Sequence, residues 1–232
     1  IEFIENTRFL DIKTSWGNSS DKIIEGSING NKIYFLSRHG IGHKISPSSI
    51  NYRANIDSLK QCGVTDIISL SAVGSLKESL TPGTFVIIDQ FIDRTISRKK
   101  SFFNEGIVAH VPMSEPTSRE LMQLSKKNLD ALNISNVLGG IYLAMEGPQF
   151  STKAESNLYR KLGCDVIGMT NMPEAKLARE AEIRYASVSM VTDYDCWHPN
   201  HENVDVQTVI KVLLGNAAKA KNMVKNIIEN FE

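Results

Sequence analysis

The stretch YASVSMVTDYDCWH, residues 185–198, starts as a run of apolar and small residues. It ends with two carboxylates, Asp193 and Asp195, spaced by two and followed closely by Trp197. A run this apolar reads as a strand buried on both faces, which belongs to a sheet covered by helices. Similar runs recur along the chain: NKIYFLSR (31–38), VTDIISLSAV (64–73), GTFVIIDQFI (83–92), GGIYLAME (139–146) and CDVIGMT (164–170). Between them lie amphipathic stretches that predict helices over roughly 48–61, 115–131, 152–162, 173–182 and 203–229. Pro47, Pro116 and Pro173 stand where helices can begin, and Gly63 and Gly163 where they can end. The alternation predicts an α/β fold with a mixed, largely parallel central sheet flanked by helices. Ligands of such sheets sit beyond the strand ends, so the polar residues that close each apolar run are the candidates for chemistry.

With 232 residues the chain suits one sizeable domain, expected to span 1–232. Lysine plus arginine balance aspartate plus glutamate at 26 each, which gives no field for nucleic acid or an anionic membrane and favours a small-molecule partner. Cys62, Cys164 and Cys196 are odd in number and lack CxxC spacing, so neither a disulfide framework nor a structural metal site is expected. The expected setting is reducing and cytoplasmic. The opening segment IEFIENTRFLDIK carries charges where a signal peptide needs a continuous apolar run.

Five strand ends carry candidate chemistry. In SRHGIGH (37–43), Arg38 and His39 beside two glycines suit an oxyanion such as phosphate, although a basic residue at a strand end also serves as an ordinary surface group. In SAVGSLKE (71–78), Ser71, Ala72 and Gly74 let backbone N–H groups approach a ligand, or simply make a turn. The segment is neither GxGxxG nor a P-loop. In AMEGPQFSTKAES (144–156), Gly147-Pro148 forces a turn before Phe150, while Ser151 or Thr152 can cap the next helix; Phe150 reads equally as a core residue. In DVIGMTNMPEAK (165–176), Met169 and Thr170 end a strand, and Glu174 can stabilise the following helix N-terminus. Asp193 and Asp195 would project to one side of an extended segment, a setting that raises carboxyl pKa values, though acids at strand ends also form caps and turns. The basic segment DRTISRKKSFFNEG (93–106) reads either as a solvated surface loop or as a loop that frames a site or a subunit contact.

Together these segments resemble the S-methyl-5′-thioadenosine phosphorylases of the trimeric purine nucleoside phosphorylase superfamily, over nearly the whole chain. The resemblance implies phosphorolysis of a purine nucleoside, with no cofactor or metal and inorganic phosphate as co-substrate. It implies a place in purine and methionine salvage. It implies that Arg38, His39, Ser71, Ala72 and Thr170 bind phosphate and that Met169 positions the ribose. Asp193 would donate to purine N7 and Asp195 would accept from the 6-amino group, with Phe150 on the base and Ser151 at its edge. Relatives preferring 6-oxopurines carry asparagine at the first acid, so the pair points to adenine. Val206, Val209 and Ile210 would line the slot for the methylthio group, although any core-facing stripe has the same spacing. His110 matches a residue contributed by a neighbouring subunit, which implies a homotrimer or a dimer of trimers; it reads as well as a packing residue. The family opens with a strand and a glycine-rich phosphate loop that correspond to residues ahead of Ile1; either that segment is missing from this sequence alone, which is the expectation, or the protein itself lacks a phosphate donor and is impaired. A broader nucleoside phosphorylase and a nucleoside-binding protein without turnover are the alternatives.

Overall fold

The computed structural model describes residues 4–104, 106–199 and 206–231, without the side chains of 206–209 and 211. Two sheets form. A three-stranded antiparallel sheet comprises β1 (Glu5–Leu10), β2 (Ile23–Ile28) and β3 (Asn31–Phe35) in that order. The seven-stranded sheet contains β4 (Asp66–Ser75), β5 (Phe85–Ile88), β6 (Gln90–Asp93), β7 (Asn136–Leu138), β8 (Ile141–Ala144), β9 (Val166–Gly168) and β10 (Arg184–Asp193). Its order is β6-β8-β9-β4-β10-β5-β7. Its pairings are parallel except for β4 with β9 and β10 with β5, so the expected mixed, largely parallel sheet is present.

Two readings need correction. NKIYFLSR does not join the main sheet: β3 pairs only with β2 among the described residues, and its residues are half-buried rather than enclosed. GTFVIIDQFI is not one strand, because at Asp89 the chain passes from β5, next to one edge of the sheet, to β6 at the opposite edge. There Asp89 Oδ1 accepts from Gly140 N–H at 2.8 Å. Since β5 and β6 are consecutive in the chain but separated across the sheet, the sheet must curl back on itself.

The helices are α1 (Tyr52–Gln61), α2 (Arg119–Ala131), α3 (Lys153–Lys161), α4 (Asn171–Glu180) and α5 (Val206–Glu229). Several start later than their prolines suggest because side-chain caps set the first turn. Asn51 caps α1 and Ser118 caps α2, while Thr152 and Glu155 form a reciprocal capping box on α3. The earlier start of α4 includes a kink at Met172, where the backbone is extended. Residues 203–205 of the last expected helix lie outside the described residues.

β10 runs through the centre, buried along almost its whole length, paired with β4 on one side and β5 on the other. One face of the sheet packs with α1 and α4 around Ile56, Val86, Tyr142, Leu177 and Val191. Phe85, Leu129, Val188, Met190 and Met223 form the core with α2 and α5. Burying one such side chain contributes about 1.5–3 kcal/mol. This packing holds the ends of β4, β9 and β10 side by side and thereby builds the site.

Candidate active site

β10 ends at Asp193, and the chain turns there: Asp195 has φ +51°, in the left-handed region. The two acids therefore do not share one side of an extended segment, as strand alternation predicts. They are neighbours because of the turn, in which Asp195 N–H donates to Asp193 Oδ1 at 2.8 Å. Thr192 Oγ1 donates to the other oxygen at 2.7 Å. A Cβ on Gly74 of the adjacent β4 would meet Asp193 Oδ1 at 3.0 Å and Asp195 Cβ at 3.3 Å, so the glycine makes room for both acids. Burial raises the Asp193 pKa, opposed by the bonds from Thr192 and Asp195 N–H and assisted by the Asp195 charge. Burial also raises that of Asp195, opposed by the Ser156 and Ser151 hydroxyls. No salt bridge compensates either acid among the described residues. Ser151 thus lies at Asp195, and its carbonyl accepts from Cys196 Sγ at 3.2 Å. Phe150, on the turn before α3, is 44% exposed, which removes its reading as a core residue.

A second cluster gathers three of the candidate phosphate residues. Arg38 Nη1 donates to Thr170 Oγ1 at 3.2 Å, and Ser71 and Thr170 hydroxyls are 3.3 Å apart. Arg38 Nη2 reaches Leu70 O at 2.5 Å, while Nη1 lies 3.0 Å from both Glu174 oxygens. Burial disfavours the Arg38 charge, but Glu174 together with Tyr185, Tyr52 and Tyr142 outweighs it and the pKa rises. Ala72 is half-buried on β4 between Ser71 and the acid end. His39 is placed by a 2.8 Å bond between Nδ1 and Ile45 O and stacks on His43 at 4.1 Å. Its pKa is lowered by burial, with the Ile45 bond opposing and His43 and Arg38 adding to the shift.

Sequence reasoning missed Arg98. In a run of basic residues it is the buried one, donating to the carbonyls of Met145, Glu146, Met169 and Met172 and to Tyr52 Oη. It ties the turn leading to Phe150 to the Met169–Thr170 strand end, so the segment around Arg98 frames the site. The available signal was its chemistry, since a planar fork with five donors can serve several carbonyls where lysine cannot. Glu146 accepts from Ser48, Ser97 and Ile96 N–H; these bonds and Arg98 overcome the opposing effect of burial and hold its pKa at about 2.

The 5′ candidates do not assemble as readily. The side chains of Val206 and Val209 lie outside the described residues, and Ile210 is 49% exposed. His110 is exposed, so its packing reading does not hold within one chain. Among the described residues no cluster of His, Cys, Asp and Glu is placed to hold a metal ion, and no helix is long and apolar enough to cross a membrane.

Residues 2–229 match the family model described as the phosphorylase superfamily. The chain belongs to the phosphorylase superfamily. Within it, 225 residues are 59% identical to an S-methyl-5′-thioadenosine phosphorylase of Rhodospirillum rubrum, covering 97% of this chain and 76% of that protein. A methylthioadenosine phosphorylase sourced from an antarctic soil metagenomic library is 46% identical with a TM-score of 0.94, covering 99% of this chain and 81% of that one. The methylthioadenosine phosphorylase of Schistosoma mansoni, in complex with adenine, is 33% identical with a TM-score of 0.95, covering 98% and 87%. The phosphorylase fold therefore accounts for both the curled sheet and the placement of the strand ends.

Proposed function

We infer that this chain phosphorolyses S-methyl-5′-thioadenosine to adenine and 5-methylthioribose 1-phosphate. It is an enzyme, a pentosyltransferase of nucleoside salvage. The carrying observation is the largely desolvated acid pair whose proton affinity is raised at the end of β10, in a chain 59% identical to a phosphorylase of that name. A phosphate oxygen forms its bond to C1′ as the C1′–N9 bond breaks and the bonding pair passes to the purine. Asp193 gives its proton to N7 and Asp195 accepts from the 6-amino group. A carbonyl at that position would leave the acceptor unpaired, which favours adenine. Arg38, His39, Ser71, Ala72 and Thr170 hold phosphate, and Met169 positions the ribose. Phe150, exposed on its turn, covers the base, with Ser151 at its edge. Val206, Val209 and Ile210 cover the methylthio group, and inorganic phosphate is the co-substrate with no cofactor. Base release in the presence and absence of phosphate tests this: release should depend on phosphate and yield the sugar 1-phosphate. Equal release without phosphate, with free methylthioribose, would sink it.

The assembly we propose is a homotrimer, or a dimer of trimers, working in the cytoplasm. Ile96, Ile107 and Val108 are 85%, 70% and 69% exposed on the segment that carries His110, an apolar surface suited to a second subunit. The domain we propose is a single one, spanning 1–232. In support of one domain, a cavity of about 730 Å³ is lined jointly by β3, the Leu36–Gly40 turn and Val64–Leu70. Beyond its pairing with β10, β4 meets β9 only at Gly74 and Ser75.

A further inference from the structure

We propose that Glu174 is the positioning residue of Arg38, fixing the direction from which the guanidinium meets phosphate; this rests on the reading of Arg38 as a phosphate ligand. Sequence position makes Glu174 a helix-end acid, and it does lie in the first turn of α4. The structure gives its carboxylate further partners. Oε1 accepts from Ser69 Oγ on β4 at 2.7 Å and from Tyr185 Oη on β10 at 2.8 Å. Tyr185 Oη is itself fixed by Asn171 Nδ2 at 2.6 Å. Two central strands and the start of a helix therefore hold the carboxylate, while Arg38 comes from the turn after β3, outside the main sheet.

A long side chain from a turn loses rotamer entropy when it is fixed, and something rigid must hold it if the site is to be preorganised. Arg38 and Glu174 side chains are only 14% and 12% exposed, so their pairing is little weakened by solvent. Glu174 and Thr170 occupy Nη1, and Leu70 O receives Nη2. Nε has no acceptor among the described residues and remains for an oxyanion. Glu174 does not touch phosphate in this arrangement. It acts through Arg38, and it also cancels part of the charge that phosphate would otherwise meet, so that direction rather than bare attraction governs binding.

Glu174→Gln preserves shape but removes the charge that holds Nη1. Loss of a charged hydrogen bond corresponds to about a tenfold or larger change in an equilibrium. The phosphate KM should rise about tenfold, with the methylthioadenosine KM changed less than about twofold. Glu174→Asp should restore part of the phosphate KM. Tyr185→Phe, which removes one anchor and leaves the carboxylate, should raise the phosphate KM by a smaller factor; it also supplies the test if Glu174→Gln fails to fold. Arg38→Lys separates the two readings. If it leaves the phosphate KM unchanged, Arg38 is not a phosphate ligand and the proposed function of that cluster fails first. If it raises the phosphate KM while Glu174→Gln and Tyr185→Phe do not, or if both substrates' KM values rise alike in those variants, the positioning role is overturned. In Arg38→Lys/Glu174→Gln the second change should add little, because it has no guanidinium left to position.

Discussion

The two ends of the site handle charge in opposite ways. Around Arg38 and Arg98, charged groups are paired or multiply hydrogen-bonded: Arg38 faces Glu174, and Arg98 is spread over four carbonyls. At the end of β10, half-buried Asp193 and buried Asp195 lie beside each other with raised pKa values. Pairing keeps a charge in place and suits the binding of an oxyanion. Burial without a cation keeps a proton available and suits donation to a leaving base. One curled sheet supplies both environments because β4, which carries Ser69 and Ser71 toward the first, also carries Gly74 beneath the second.

The largest effect should come from removing the proton donor. Asp193→Asn should lower methylthioadenosine turnover by roughly 10²–10⁴-fold. Activity on a 6-oxopurine nucleoside should fall less or rise, since the amide can still donate N–H to N7. Steady-state rates on both substrates check this, and full retention of methylthioadenosine activity would reduce Asp193 to a turn residue and break the contrast between the ends.

Asp195→Asn should act on recognition. Its oxygen no longer carries the charge that receives the 6-amino group, so the ratio of amino to oxo substrate efficiency should shrink, by about tenfold for one hydrogen bond to a charged group. An unchanged ratio would assign Asp195 to the turn alone.

The smallest effect sharpens the comparison through stability. Glu146 has a native pKa of about 2 against 4.5 ordinarily, so its contribution is present above pH 4.5 and is lost as pH falls toward about 2. Asp193 has the opposite sign. Its native pKa lies above 3.8, so the native state binds more protons than the unfolded chain as pH rises from 3.8 through the native value. Stability falls across that window, and the cost remains at higher pH. Thermal melting should therefore show Glu146→Gln destabilised at pH 6 and converging with the parent in acid. Asp193→Asn should gain on the parent as pH rises from 3 to 7. Parallel curves for the two variants would remove the electrostatic distinction.

The apolar runs made the strands of the central sheet legible, and their polar ends marked where Arg38, Ser71, Thr170 and Asp193 stand. Legibility was weakest where local pattern is weak. ENTRFL of β1 is largely exposed, and NVL of β7 is only three residues long. Arg98 sits beside Lys99 and Lys100 and has no local feature that separates its fate from theirs.

By itself the sequence determined the α/β class, the strand cores, most helix positions and the presence of acids at the end of β10. These depend on periodicity, caps and turn residues acting over a few positions. Tertiary structure alone decided that NKIYFLSR joins a separate sheet, that GTFVIIDQFI divides at Asp89, and that Asp195 reaches Asp193 through a left-handed turn. It also decided that Glu174 meets Arg38 across 136 residues of chain and that Arg98 meets Met172 across 74. Such contacts depend on which distant groups remain to satisfy a buried donor or charge once the sheet has curled, and neighbours in the chain carry no record of that.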